Sequence, residues 1–132
     1  MNTFQGKITK IESSESLSLV QILVDDVLFK TILLETPETA DYLKENQSVN
    51  LYFKETEVVL AKRNVDFISM QNKISGIISN IEKDVLLSKV EIKTEIGFVK
   101  SIITTFAVEQ LQLKIGDKVT ALIKTNEIMI SE

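Results

Sequence analysis

Apolar and polar residues alternate along most of this chain. In Phe4–Glu12 the apolar side is Phe4, Gly6, Ile8 and Ile11, with Lys7, Thr9 and Lys10 between them. Alternation with period two predicts a strand with one wet face. The pattern slips by one residue near Thr9–Lys10, and such a slip predicts a bulge or a strong bend. A second strand is predicted over Leu17–Val24 and a third over Val27–Leu34. The period then changes. Thr36-Pro37-Glu38 places a hydroxyl residue, a proline and an acid at the start of a new segment, which are helix N-terminus signals. A short helix of about two turns is expected there, with Asn46 free to close it in a left-handed conformation. Two further strands, Ser48–Lys54 and Glu57–Ala61, read as a tight hairpin about Glu55-Thr56.

The same order then recurs. Laid on itself with an offset of 70 residues, the chain matches 4–61 to 74–131 without a gap. Gly6/Gly76, Ile8/Ile78, Ile11/Ile81, Val20/Val90, Ile22/Ile92, Lys30/Lys100, Val49/Val119 and Lys54/Lys124 are among the identities. The second set of strands is Ile74–Glu82, Leu87–Thr94, Ile96–Thr104, Lys118–Lys124 and Glu127–Ser131. Its helix falls at Ala107–Leu113, its helix-closing residue is Gly116, and its final hairpin turns at Thr125-Asn126. A period this long means two copies of one small domain rather than a solenoid. The boundaries are 1–62 for the first copy, 63–71 for a joining segment and 72–132 for the second. Strand, strand, strand, helix, strand, strand is the order of the five-stranded OB-type barrel. The fold class expected is all-β with short helices, as two tandem barrels.

Units of about 60 residues are marginal alone, because surface outgrows core at small size. The copies are therefore expected to pack on each other, on another chain, or both. Val65, Phe67, Ile68 and Met70 give the joining segment an apolar character, so it too is expected to pack.

Composition narrows the chemistry. The chain carries 15 Lys and Arg against 19 Asp and Glu, a net charge of -4. An acidic balance argues against nonspecific nucleic-acid binding, which rests on neutralising phosphates. The aromatic residues, six Phe and two Tyr, fall mostly at apolar strand positions rather than on a basic face. No nucleic-acid partner is expected. There is no Cys and no His, so disulfides, thiolate metal sites and the commonest general base are all missing. With no nucleophile elbow or phosphate-binding glycine loop, an enzyme is not expected. No apolar run reaches membrane-spanning length and the N-terminus lacks a signal-peptide pattern, so a cytoplasmic protein is expected.

Anion binding is the chemistry left open. Lys54 and Lys124 end the fourth strand of each copy beside a turn. A lysine among hydroxyl and backbone donors can hold a small dianion. The same lysine can equally guard a strand edge against aggregation, and spacing alone favours that second reading. Lys30 and Lys100 also repeat, on what should be the solvated face.

The residues from Ser69-Met70-Gln71-Asn72 through Gly76 resemble the opening of a Mop or TOBE domain, usually Ser-Ala-Arg-Asn before a glycine and a strand. Leu113-Lys114-Ile115-Gly116-Asp117-Lys118-Val119-Thr120-Ala121-Leu122-Ile123-Lys124 is similar to the closing segment of that family, and Ile102-Ile103-Thr104 to its third-strand end. The likeness covers 72–131 strongly, and the first copy through its constant register. As a pair the copies resemble a di-Mop, molbindin-like protein, and the ligand-sensing half of molybdate-responsive regulators.

That resemblance implies binding of molybdate or tungstate between domains of neighbouring subunits, for storage, buffering or sensing. It implies a homo-oligomer, a trimer or a dimer. Carried over by position, it places Ser69, Gln71, Asn72, Thr104, Lys124 and Thr125 at oxyanion sites, with Lys54 as the first-copy counterpart of Lys124. Gln71 stands where the motif has Arg, Ala107 where many members have Ser, and Glu55 where the second copy has Thr125. These departures define the alternative, a regulatory or assembly module with degenerate anion sites that binds a protein partner.

Overall fold

The computed structural model describes all 132 residues. The first copy supplies β1 (Asn2–Ser14), β2 (Leu17–Val24), β3 (Val27–Leu33), β4 (Ser48–Phe53) and β5 (Val59–Ala61). The second supplies β6 (Asn72–Lys83), β7 (Leu87–Thr94), β8 (Gly97–Thr104), α1 (Thr105–Gln110), β9 (Lys118–Ile123) and β10 (Met129–Ser131). The protein is all-β, built as two curled five-stranded sheets.

The alternation carries β1 to β3 as expected. Two-residue loops join β1 to β2 and β2 to β3, with Glu15 and Asp25 at φ 57° and 51°. A positive φ in such a loop matches the twist of the strands it joins. The slip near Thr9 is a bulge, where the β1–β2 register shifts between Ile8 and Lys10, and β6–β7 shifts in the same way between Ile78 and Asn80. Each bulge frees a peptide for the loop before the fourth strand. Ile8 exchanges hydrogen bonds with Gln47 and Asn46, and Ile78 with Asp117 and Gly116. Asn46 and Gly116 are left-handed, at φ 68° and 96°. They serve these loops rather than a helix end.

The final hairpin is not formed in either copy. β4 pairs with β1 and with β10, and β9 pairs with β6 and with β5. The sheet orders are β10-β4-β1-β2-β3 and β5-β9-β6-β7-β8, so each copy gives its last strand to the other. The reason is local. A two-residue hairpin needs positive φ in its loop, and none of Glu55, Thr56, Thr125 or Asn126 has one. Right-handed 3₁₀ turns at Glu55–Glu57 and Thr125–Glu127 instead carry the chain away from its own sheet. The exchanged ends are fastened by buried hydroxyls. Thr31 donates to the carbonyl of Ile128 at 2.6 Å, and Ser101 to that of Val58 at 2.7 Å.

The exchange merges the two cores. Ile8, Val20, Ile22, Phe29, Leu51 and Phe53 join Ile78, Val90, Ile92, Val99, Ala121 and Ile123 in one contiguous cluster. Gly6 and Gly76 sit where the first strand of each copy bends over the second. A Cβ at Gly76 would lie 2.5 Å from Ile92 Cγ2 and 2.6 Å from the Lys93 carbonyl oxygen. Any side chain there would force the strands apart.

A helix forms in the second copy only. Thr104 caps α1, its hydroxyl accepting from the Ala107 N–H at 3.1 Å. Gln112 at φ 52° ends it, with Gln112 and Leu113 donating back to the carbonyls of Glu109 and Val108. In the first copy the Thr39 hydroxyl bonds both the N–H and the carbonyl of Thr36. Such a local bond competes with helix propagation, and Thr36–Lys44 stays a series of turns.

The joining segment packs only in part: Val65 and Met70 are half-buried, whereas Phe67 is 97% exposed and Ile68 is also exposed. Lys62 anchors its start, donating to the carbonyls of Leu111 and Gln112 at 2.9 and 3.0 Å and pairing with Asp117 at 3.3 Å. Phe98 and Phe106 are exposed as well, so the aromatic residues are less internal than their strand positions implied. No helix is long and apolar enough to cross a membrane.

Candidate functional site

The strand exchange creates two related seams. At one, β3 and the outer face of β2 lie beside the turn that follows β9. A pocket of about 290 Å³ opens there, lined by Leu19 and Ile32 from the first copy and by Ser69, Met70, Gln71, Lys124 and Thr125 from the second. Four of the residues singled out from sequence therefore come together: Ser69, Gln71, Lys124 and Thr125. Lys124 ends β9 in extended conformation ahead of the 3₁₀ turn, and Thr125 begins that turn. Ser69 and Gln71 arrive on the chain leading into β6. Lys124 takes part in none of the three ion pairs of the chain.

Chemically the pocket offers one ammonium, two hydroxyls, one carboxamide and two aliphatic walls. No carboxylate lines it. Hydroxyl and amide donors around a single cation, with the local field unopposed, suit a small anion. At about 30 Å³ per water molecule, the volume admits a four-oxygen anion and several waters.

Asn72 is fully buried and its amide is committed elsewhere. Its Oδ1 accepts from the Lys30 N–H at 2.7 Å and its Nδ2 donates to the Lys30 carbonyl at 2.9 Å. This clamp fixes the start of β6, and so the approach of Ser69 and Gln71, against β3. Asn2 makes the same clamp on Lys100, at 2.8 and 2.9 Å. The repeated lysines thus owe part of their environment to backbone pairing and not only to a solvated face.

Thr104 is not brought to Lys124: it ends β8 as the exposed cap of α1, across the ladder from Leu87. Lys54 lies at the other seam, where β8 packs on the turn Glu55–Glu57. Glu55 there forms an ion pair with the Met1 α-ammonium at 2.8 Å. That hydrogen bond, more than any other influence, holds the Glu55 carboxyl below its ordinary range, with a smaller contribution from Lys89.

The two aliphatic walls were missed in the sequence. Their signal was present: Leu17, Leu19 and Leu23 occupy the wet face of β2, and Ile32 stands directly across from Leu19 in β3. Aliphatic residues on a face that alternation marks as wet point to a covered or ligand-lined surface.

The TOBE domain family matches residues 68–130. Among curated proteins none matches the sequence. Among solved structures, the cytoplasmic molybdate-binding protein ModG with molybdate bound superposes with a TM-score of 0.91 at 23% identity, over 98% of this chain and 94% of that one. MopII from Clostridium pasteurianum matches with a TM-score of 0.47 at 32% identity, over 49% of this chain and 98% of that one. Residues 68–130, which take in all but the last two residues of the second copy, thus belong to the TOBE domain family, and the two copies together form the fold seen in ModG.

Proposed function

We propose that this chain binds a tetrahedral oxyanion, molybdate or tungstate, in the pocket of Ser69, Gln71, Lys124 and Thr125, and serves in storage, buffering or sensing of that anion in the cytoplasm. The observation that carries the reading is the lining itself: Lys124 and three neutral donor side chains converge where no carboxylate intrudes. The molybdate carried by ModG supports the same ligand class for a chain of the same fold. Molybdate and tungstate share charge and shape, so both are expected to bind.

Large apolar side chains outside the core support an oligomer. Val85, Leu86, Leu34 and Phe106 are 85%, 78%, 82% and 73% exposed. Large exposed apolar side chains of this kind suit contact with another subunit, and a closed dimer or trimer would cover them. In such an assembly Thr104 contributes to a site from a neighbouring subunit, while Asn72 positions the pocket wall.

Calorimetric titration with molybdate, tungstate and sulfate tests the proposal. At an anion concentration of ~100 times Kd, folding should be stabilised by about 2.7 kcal/mol, raising Tm. Lys124→Ala should weaken binding by at least about tenfold, as loss of one charge-assisted contact predicts. Absence of heat and of any thermal shift in sulfate-free buffer would sink it. The alternative, a module that binds a protein partner without the anion, draws on the ion-paired Glu55. It requires partner capture that oxyanion does not alter.

A further inference from the structure

The seam that carries Lys54 corresponds through the repeat to the one that carries Lys124, but its residues differ in one decisive way. With the offset of 70 residues, Lys124 corresponds to Lys54, Ile32 to Ile102, Leu19 to Lys89, Gln71 to Met1 and Thr125 to Glu55. The scaffold is conserved. β8 packs on the turn Glu55–Glu57 as β3 packs on the turn Thr125–Glu127, and the Ser101–Val58 hydrogen bond repeats the Thr31–Ile128 bond. Leu19 and Gln71 change as well, and Ser69 and Met70 have no counterpart, but the change that matters for an anion is the hydroxyl of Thr125, whose place a carboxylate takes.

We propose that the Glu55 carboxylate acts as a built-in anion at this second seam, occupying the position that the other seam leaves for a free oxyanion, so that each chain carries one functional pocket of this kind and not two. The proposal rests on the oxyanion reading of the Lys124 pocket. Glu55 brings two oxygens and a full negative charge into a place lined by cations. One oxygen lies 2.8 Å from the Met1 ammonium, and the side chain is only 23% exposed. Lys54 and Lys89 correspond to the other lining positions.

The substitution pattern fits this role. Thr125 becomes Glu55 while Leu19 becomes Lys89, so a negative charge and a positive charge enter the same seam together. Lys89 stands across the β6–β7 ladder from Glu82, so it is shared between that carboxylate and the seam. A free dianion approaching the seam meets a like charge already seated among the donors, and like charges at close range repel strongly in a partly desolvated site. The Lys124 pocket has no such group.

The test is stoichiometry on the full chain, by equilibrium dialysis with molybdate. The unaltered protein should bind one molybdate fewer per chain than Glu55→Thr, which restores the hydroxyl found in the second copy. Glu55→Gln, which removes the charge at constant size, should gain the same extra site and stands in if the threonine variant does not fold. In Glu55→Thr combined with Lys124→Ala, the tight native site should be lost and the new one retained. If the unaltered chain binds molybdate and neither Glu55 variant raises the number bound, the inference is overturned while the oxyanion reading stands. If no form binds molybdate, both fall.

Discussion

The carboxamide of Asn72 spans the backbone N–H and C=O of Lys30, 42 residues away, with its Oδ1 accepting at 2.7 Å and its Nδ2 donating at 2.9 Å. Asn2 spans Lys100 in the same way across 98 residues. Each clamp ties the first strand of one copy to the third strand of the other. They do the work of a sheet ladder at a place where no strand pairing exists.

Removing such a clamp should be costly. Asn72→Ala leaves the part-buried N–H and C=O of Lys30 without partners, each worth ~1–3 kcal/mol when buried. A loss of ~2–4 kcal/mol in urea unfolding is expected from Asn72→Ala, with an unchanged m-value. Asn72→Asp keeps the acceptor but sets a carboxylate against the Lys30 carbonyl, and should be at least as damaging. A loss below 0.5 kcal/mol, the level of an ordinary surface substitution, would show that the clamp is not a fastening.

The strand exchange makes each copy dependent on the other. Cut from its neighbour, the segment 1–62 would leave β4 without β10 and β5 without β9. Bare edges and a core halved from the shared cluster are unfavourable in a unit this small. The segments 1–62 and 63–132 should each lack cooperative thermal unfolding when prepared singly. Mixed in equal amounts they should recover it, with native near-ultraviolet dichroism. A first segment that folds alone would mean that β4 and β5 can close a hairpin after all.

Tyr42 supplies a signature at high pH. Its hydroxyl donates to Glu35 Oε1 at 2.9 Å. Burial, then that bond to a carboxylate, push the phenol from its ordinary value up to about 12. The folded state therefore disfavours tyrosinate. The associated stability is fully present below the ordinary phenol value of about 10 and is lost as pH rises from there through about 12. Of the two tyrosines, one should show its tyrosinate absorbance only at the upper end of this window. Tyr42→Phe should abolish that late step and cost ~1 kcal/mol at neutral pH.

Much of this architecture was legible because its signals are local. The slip at Thr9–Lys10 is a bulge, and the constant 70-residue offset is a shared fold with shared register. The exchange of β5 and β10 was not legible. When both copies carry the same strands in the same register, β4 can pair with β5 or with β10 on equal hydrophobic terms, and only turn dihedrals decide. The missing glycine or asparagine at Glu55-Thr56 was the available clue. Asn72 was legible as important but not in its role, since motif position does not reveal that its amide is engaged with a strand 42 residues away. Extending the repeat by two residues, to Asn2, would have shown that the pair is structural scaffolding in both copies.

The end of α1 allows a paired test of backbone strain. Gln112 holds φ 52°, donating to the Glu109 carbonyl while Leu113 donates to that of Val108. This is the double bond pattern that glycine usually closes, because a side chain in the left-handed region crowds its own carbonyl. Gln112→Gly should therefore stabilise the chain by ~0.5–1 kcal/mol, the relief at the left-handed residue exceeding the added freedom of the unfolded chain. Gly116 offers the opposite case. It sits at φ 96° with nothing within 4 Å of the place a Cβ would take. Gly116→Ala meets no neighbour, so any loss is conformational alone, and ~1 kcal/mol is expected. Stabilisation by Gln112→Gly together with a loss from Gly116→Ala in the same urea series would attribute both effects to dihedral strain. The reverse pair of signs, a loss from Gln112→Gly and a gain from Gly116→Ala, would place the effect in the unfolded chain instead.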